Sequence, residues 1–266
     1  MATEIEALES GIENAVAAEG ATEAGIHIAL SAERLGEFLS IPLTNTLITS
    51  WVVMAILAVV AFFIGRNVSL IPGRIQTLVE SLFEYVLDYI TQILESETLA
   101  KKFFPFLLTL FLFIFAANVL EFTPGIGSFG FLHGDEFLPL LRSVNTDLNV
   151  TLALAIISFF VIEITGIVTI GFLKYASKFV NLRSPLGFAV GIIELFSEIA
   201  RLISFSFRLF GNIFAGEVLI LVIAFFVPYF VPVPLMMFEV FIGFIQAAIF
   251  SLLTLFFIKI AITEPH

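Results

Sequence analysis

Five residues in the last third of the chain form the most informative polar constellation: Glu194, Glu198, Arg201, Arg208 and Asn212. At ~100° per residue on a helix they fall within about 40° of one line, a single polar stripe on an otherwise apolar segment. Carboxylates take up and release protons, whereas a guanidinium keeps its charge at any working pH. Glu217 lies nine residues beyond Arg208 and therefore points about 180° away from it. On the next segment Glu239 and Gln246 are seven apart and share a face. If the two segments pair antiparallel, Gln246 falls level with Arg208 and Glu239 with Glu217. Two carboxylates then lie toward one side, a fixed cation sits at mid-depth, and Glu194 and Glu198 lie toward the other side. A proton path with a barrier at its centre needs that order. A purely structural use is also open, because Glu198 and Arg201 are three apart and can pair with each other. The neighbours Phe205, Phe207, Leu209 and Phe210 offer Arg208 no counter-ion.

The elements that must position these groups are set by composition. Of 266 residues, 59% are hydrophobic and 13% charged, with 33 Phe and one Trp, and the mean hydropathy is +1.09. Those values lie outside the soluble globular range and describe an integral membrane chain. There is no Cys, which removes disulfides, thiolate metal sites and thiol redox chemistry. The net charge of −11 is concentrated at the N-terminus, where Glu4, Glu6, Glu9, Glu13, Glu19, Glu23, Glu33 and Glu37 face only Arg34. Residues 1–40 read as an acidic tail without the basic and apolar regions of a secretory signal. Nothing in the composition suggests nucleic acid.

Uncharged apolar runs predict spans at about 47–64, 103–121 and 149–173, the last carrying Glu163. Between the first two, residues 74–95 show Ile75, Leu78, Val79, Leu82, Val86, Ile90 and Ile93 at helical spacing opposite Glu80, Glu84 and Asp88, the pattern of an amphipathic helix at a surface. The run 186–227 holds the polar stripe and, as one helix, would be about 60 Å long at ~1.5 Å per residue, twice the ~30 Å hydrocarbon thickness. It must break or lie inclined. A second long helix, 234–262, follows Val231-Pro232-Val233-Pro234, so the two form a hairpin. The expected fold is all-α integral membrane: multi-pass helices with a long inclined C-terminal helical hairpin.

Segments 65–102 and 173–187 hold Arg66, Arg74, Lys101, Lys102, Lys174, Lys178 and Arg183, whereas the tail and the loop 122–148 hold only Arg34 and Arg142. The positive-inside rule then puts the N-terminus outside and, after five passes, the C-terminus inside. Gly125-Ile126-Gly127-Ser128-Phe129-Gly130 has the letters of a dinucleotide fingerprint but follows an apolar helix and Pro124 where a strand is needed. Asn67-Val68-Ser69 and Asn149-Val150-Thr151 match glycosylation acceptors in places unsuited to that use. No Walker-type phosphate loop, zinc-protease motif or nucleophile elbow is present. No cofactor, metal site or catalytic residue is expected.

The run Ser206-Phe207-Arg208-Leu209-Phe210-Gly211-Asn212-Ile213-Phe214-Ala215-Gly216-Glu217 closely resembles the signature of the a subunit of rotary F-type ATP synthases. Gln246-Ala247-Ala248-Ile249-Phe250 is similar to that family's second signature. Asn118-Val119-Leu120-Glu121-Phe122-Thr123-Pro124 and Asp147-Leu148-Asn149-Val150-Thr151 resemble weaker ones, and the likeness runs from about residue 40 to the end. The resemblance implies a proton-translocating stator subunit with two half-channels against a ring of c subunits, held by peripheral-stalk b subunits in the lipid bilayer. It implies that Arg208 is the arginine facing the ring, with Asn212 and Gln246 as polar neighbours. Glu217 and Glu239 line the outer half-channel in this reading, and Glu194 the inner exit. The implied location is a bacterial plasma membrane, or alternatively the mitochondrial inner membrane.

Three departures stand out. Many relatives place one His and one Glu at the two outer positions, whereas both are Glu here; Arg201 is followed by Leu202 where Pro is common; and Glu163 matches nothing in the pattern. A secondary ion or proton transporter is the competing reading. Such proteins typically consist of two repeated halves, and no repeat is visible. A simple membrane anchor would not need the polar stripe.

Overall fold

The computed structural model describes residue 32 and residues 34–38, 41–66, 68–123, 130–133, 136–179 and 185–263. Most of the acidic tail, Asn67, Arg183 and the glycine-rich segment up to Phe129 lie outside the described residues. Helices dominate because a chain in hydrocarbon must satisfy every backbone N–H and C=O internally. Strands β1 (Arg34–Phe38) and β2 (Ile41–Thr44) form an antiparallel ribbon that leads into α1 (Asn45–Arg66). After α2 (Arg74–Leu94) and α3 (Glu97–Glu121), strands β3 (Gly130–His133) and β4 (Glu136–Pro139) form a second ribbon. Then come α4 (Leu148–Ile170), the short α5 (Phe172–Phe179), α6 (Pro185–Phe226) and α7 (Pro232–Ile262).

Five of these helices, α1, α3, α4, α6 and α7, are long and apolar enough to cross a membrane. The 22 residues of α1 measure about 33 Å, whereas the 42 residues of α6 measure about 63 Å. The protein is an all-α, multi-pass membrane protein. Large apolar side chains face outward along α1 and α6, among them Phe62, Phe63, Phe196 and Phe207, the surface that lipid or other membrane chains cover.

α3 packs against α7, and α4 against both α6 and α7. Their core contains Ile114, Ala155, Leu209, Ile213 and Ala247, while Ile90, Phe103, Ile162, Leu255 and Ile258 fill the end near the C-terminus. The amphipathic α2 divides along its length: Ile75, Leu78 and Leu82 are exposed, but Ile90 and Leu94 are buried. Its end is pinned by Lys259 Nζ at 3.0 Å from Glu95 Oε2.

Two boundaries differ from the sequence expectation. The third span ends at Gly171 rather than at residue 173, because Gly171 adopts φ +93, a left-handed value that suits glycine. The chain turns there into α5 and folds back, laying the Tyr175 ring against Gly166 so closely that a Cβ at residue 166 would collide with the ring. The second span begins earlier than expected, at Glu97, with Ser96 as its N-cap. Asp147 caps α4 by accepting from the Asn149 N–H at 2.9 Å, and it also accepts from Thr46 Oγ1 at 2.8 Å. The Asp147–Thr151 motif is therefore a helix start anchored to α1.

Candidate functional site

α6 and α7 pair as an antiparallel hairpin joined by residues 227–231, and their register is fixed by two contacts. Near the middle, Arg208 and Gln246 line one recess together with Phe205, Leu209, Ile249, Phe250 and Leu253. Nearer the turn, the Glu239 carboxyl group lies directly on Gly216, where a Cβ would occupy its place. Glycine at 216 leaves the space that the Glu239 carboxyl group occupies. These contacts match the levels read from the sequence, Gln246 with Arg208 and Glu239 with the Gly216-Glu217 pair.

Arg208 is exposed on the face of α6, and its Nη2 donates to Ser204 Oγ at 3.3 Å. Among the described residues no carboxylate forms an ion pair with it. Asn212, one turn on, is also exposed, whereas Gln246 is buried beneath. The polar stripe is not continuous. Arg201 pairs with Glu198 at 2.6 Å, and its guanidinium lies 4.0 Å from the centre of the Phe257 ring of α7, a cation–π contact inside the protein. The stripe thus divides into an inward-facing pair and an outward-facing Arg208 and Asn212. Glu194 is half-buried, one turn from Glu198.

The turn end of the hairpin carries a cluster of acids. Glu239 is 4% exposed and its Oε1 has no hydrogen-bond partner. Glu217 is half-buried, and its Oε2 likewise has none. A third carboxylate, Glu121 at the end of α3, joins them: it accepts from Ser143 Oγ at 2.7 Å and lies within the electrostatic reach of Glu217, Glu239 and Arg142. Arg142 also acts on Glu217, as does the Thr146 hydroxyl. Buried ionised groups need compensation, and three carboxylates against one guanidinium cannot all be charged at low cost.

Sequence reading missed Glu121, although it lies inside one of the weaker motifs quoted above. Asn118 in the same motif has a structural task. It donates through Nδ2 to the Gly243 carbonyl at 3.1 Å and accepts from Asn145 Nδ2 at 2.6 Å, so it joins α3 and the loop before α4 to α7.

A second polar cluster lies at the open end of the hairpin. Tyr175 Oη donates to Glu163 Oε2 at 2.8 Å, and both Glu198 and Arg201 lie within electrostatic reach of that phenol. Burial, then the hydrogen bond to Glu163, pushes the Tyr175 phenol well up from its ordinary value, so it remains a donor. Among the described residues no group of three His, Cys, Asp or Glu is arranged to hold a metal ion.

Residues 47–259 match the family model described as ATP synthase A chain. The chain is 30% identical over 218 residues to the ATP synthase subunit a of Moorella thermoacetica, covering 82% of this chain and 90% of that protein. It is 36% identical over 205 residues to that of Campylobacter jejuni, with 76% and 83% covered. It is also 33% identical over 227 residues to a Propionigenium modestum protein named ATP synthase subunit a, sodium ion specific, with 85% and 76% covered. With its hairpin, its apolar spans and a family match across most of its length, the chain belongs to the ATP synthase A chain family.

Proposed function

We propose that the chain is the proton-translocating stator subunit of a rotary F-type ATP synthase, with two half-channels that meet a c-subunit ring at Arg208. One observation carries this reading: Arg208 is a permanently charged group on an apolar, exposed helix face, and no carboxylate among the described residues pairs with it. A charge at membrane depth costs ~2.5 to 3.5 kcal/mol even on the lenient insertion scale, so it needs a polar partner from another chain. A carboxylate carried past on a rotor supplies one.

Protons enter from the outer side through the Glu239, Glu217 and Glu121 cluster and protonate the rotor carboxylate. They leave on the inner side beside Glu194. Arg208 separates the two routes, because its charge repels protons and favours the ionised form of each arriving rotor carboxylate. Lysine suits this role less well, since burial can deprotonate it. Asn212 and Gln246 keep the groove polar around the guanidinium. The excess length of α6 over the bilayer is accommodated by inclining the hairpin, which extends its contact with the ring. The subunit performs no catalysis itself; ATP chemistry belongs to the rest of the complex. Peripheral-stalk b subunits and the lipid bilayer of a bacterial plasma membrane complete its surroundings, with the N-terminus outside and the C-terminus in the cytoplasm.

Single cysteines at positions 208 and 212, tested in the assembled complex, should cross-link to the helix of the c subunit that carries its ion-binding carboxylate. A secondary transporter would purify alone or as a small homo-oligomer, and its cysteines would find no such partner. Because one relative is named sodium ion specific, transport by proteoliposomes is measured with and without Na⁺. Acidification that does not depend on Na⁺ identifies the proton.

A further inference from the structure

One apolar layer lies across the bundle between the acids at the turn end of the hairpin and the polar cluster at its open end. Ile114 of α3, Ala155 of α4, Leu209 and Ile213 of α6, and Ala247 and Phe250 of α7 pack together in it, all buried. Each long helix passes through the layer on its way from one polar end to the other. α6 runs back from Glu217 through Ile213 and Leu209 to Arg201, and α7 runs on from Glu239 through Ala247 and Phe250 to Phe257, on which the Arg201 guanidinium lies.

The layer is thinnest on α4. Thr151, Ala155 and Ser158 share one face of that helix, and all three are fully buried. Thr151 Oγ1 lies 3.2 Å from Ser206 Oγ of α6, whereas Ser158 Oγ has no hydrogen-bond partner. Gly166 of α4 lies against the Ala261 carbonyl of α7, and counting back equally along these two parallel helices puts Ser158 level with residue 253, between Ser251 and Thr254. Ser251 Oγ is likewise buried without a partner. Hydroxyls therefore lie on both sides of Ala155, which puts a bare methyl group between Thr151 and Ser158. Closely spaced polar groups hold water and pass protons inside a membrane protein, while an apolar space stays dry.

We propose that Ala155, with the apolar layer around it, is an insulator: it interrupts an internal row of hydroxyls and so keeps protons from crossing the subunit without passing the ring. Ala155 binds no proton; its part is to offer none a foothold. The inference rests on the proton-route reading above, which needs the two routes kept apart inside the chain as well as at Arg208.

The experiment separates the two. Whole complexes are assembled on a ring whose ion-binding carboxylate is replaced by Gln, so that the rotor carries no proton, and the decay of an imposed pH gradient across proteoliposomes is followed without ATP. The native chain should hold the gradient. Ala155→Ser should speed the decay roughly two- to tenfold, the worth of one hydrogen bond in the barrier. Ala155→Gly enlarges the space without adding a polar group and should stay tight. Ala155→Ser combined with Ser158→Ala breaks the row again and should restore the native rate. If Ala155→Ser does not assemble, Ile114→Thr brings a hydroxyl into the same layer from α3, with Ile114→Val as its apolar control. Decay at the native rate in the hydroxyl variants overturns the insulator, and so does an equal leak in the apolar controls, which would trace the effect to packing alone. If the native chain on the Gln ring still acidifies vesicles with ATP, it is the stator reading that fails.

Discussion

The carboxyl group of Glu239 rests on the α-carbon of Gly216, in the space a side chain at that position would fill. This contact sets Glu239 at the level of the Gly216-Glu217 pair in the hairpin. Gly216→Ala is therefore expected to push the flexible carboxyl aside without separating the helices. Transport should fall while the complex still assembles, with a stability loss of about 1 to 3 kcal/mol typical of overpacking. In the Glu239→Ala background the same alanine should add little to either loss. Thermal unfolding and proton pumping of the single and double variants check this.

The acids at the turn end are expected to titrate as a coupled group, because three carboxylates and Arg142 share one partly buried site. Replacing Glu121, Glu217 or Glu239 singly by Gln should slow transport and shift its pH optimum. Pairs should depart from additivity by about 0.5 to 3 kcal/mol in activation free energy, as residues in one network do. If double replacements multiply simply and leave the pH optimum in place, the acids only keep the route wet.

How much of this was legible in the sequence varied with the range of the forces involved. The spans follow from local apolar runs, and the level of Gln246 with Arg208 follows from helix geometry alone. The end of α4 was not legible, since apolar residues continue past it through Phe172 and Leu173 and the break depends on a backbone angle at Gly171 and a ring seated on Gly166. The inward turn of Arg201 was equally hidden. Its spacing places it on the stripe with Arg208, but Phe257, 56 residues away in sequence, draws it into the core. Glu121 went unassigned because its partners, Ser143, Glu217 and Glu239, lie far along the chain.

Breaking the Glu198–Arg201 pair should be more harmful than removing it. Glu198→Gln or Arg201→Gln alone leaves an uncompensated buried charge and should destabilise by about 3 to 5 kcal/mol. Glu198→Gln combined with Arg201→Met keeps volume, removes both charges and should recover much of the loss. The thermal stability of the purified complex distinguishes this from additive effects.

Arg208→Ala in the reconstituted complex addresses the central claim most directly. If Arg208 separates the two proposed routes, its removal should abolish ATP-driven proton pumping and open a passive leak between them, and Arg208→Lys should restore little. Both are read in proteoliposomes as acidification on ATP addition and as decay of an imposed pH gradient without ATP. Loss of pumping in a fully assembled complex is the predicted result; normal ATP-driven pumping by the alanine variant would contradict it.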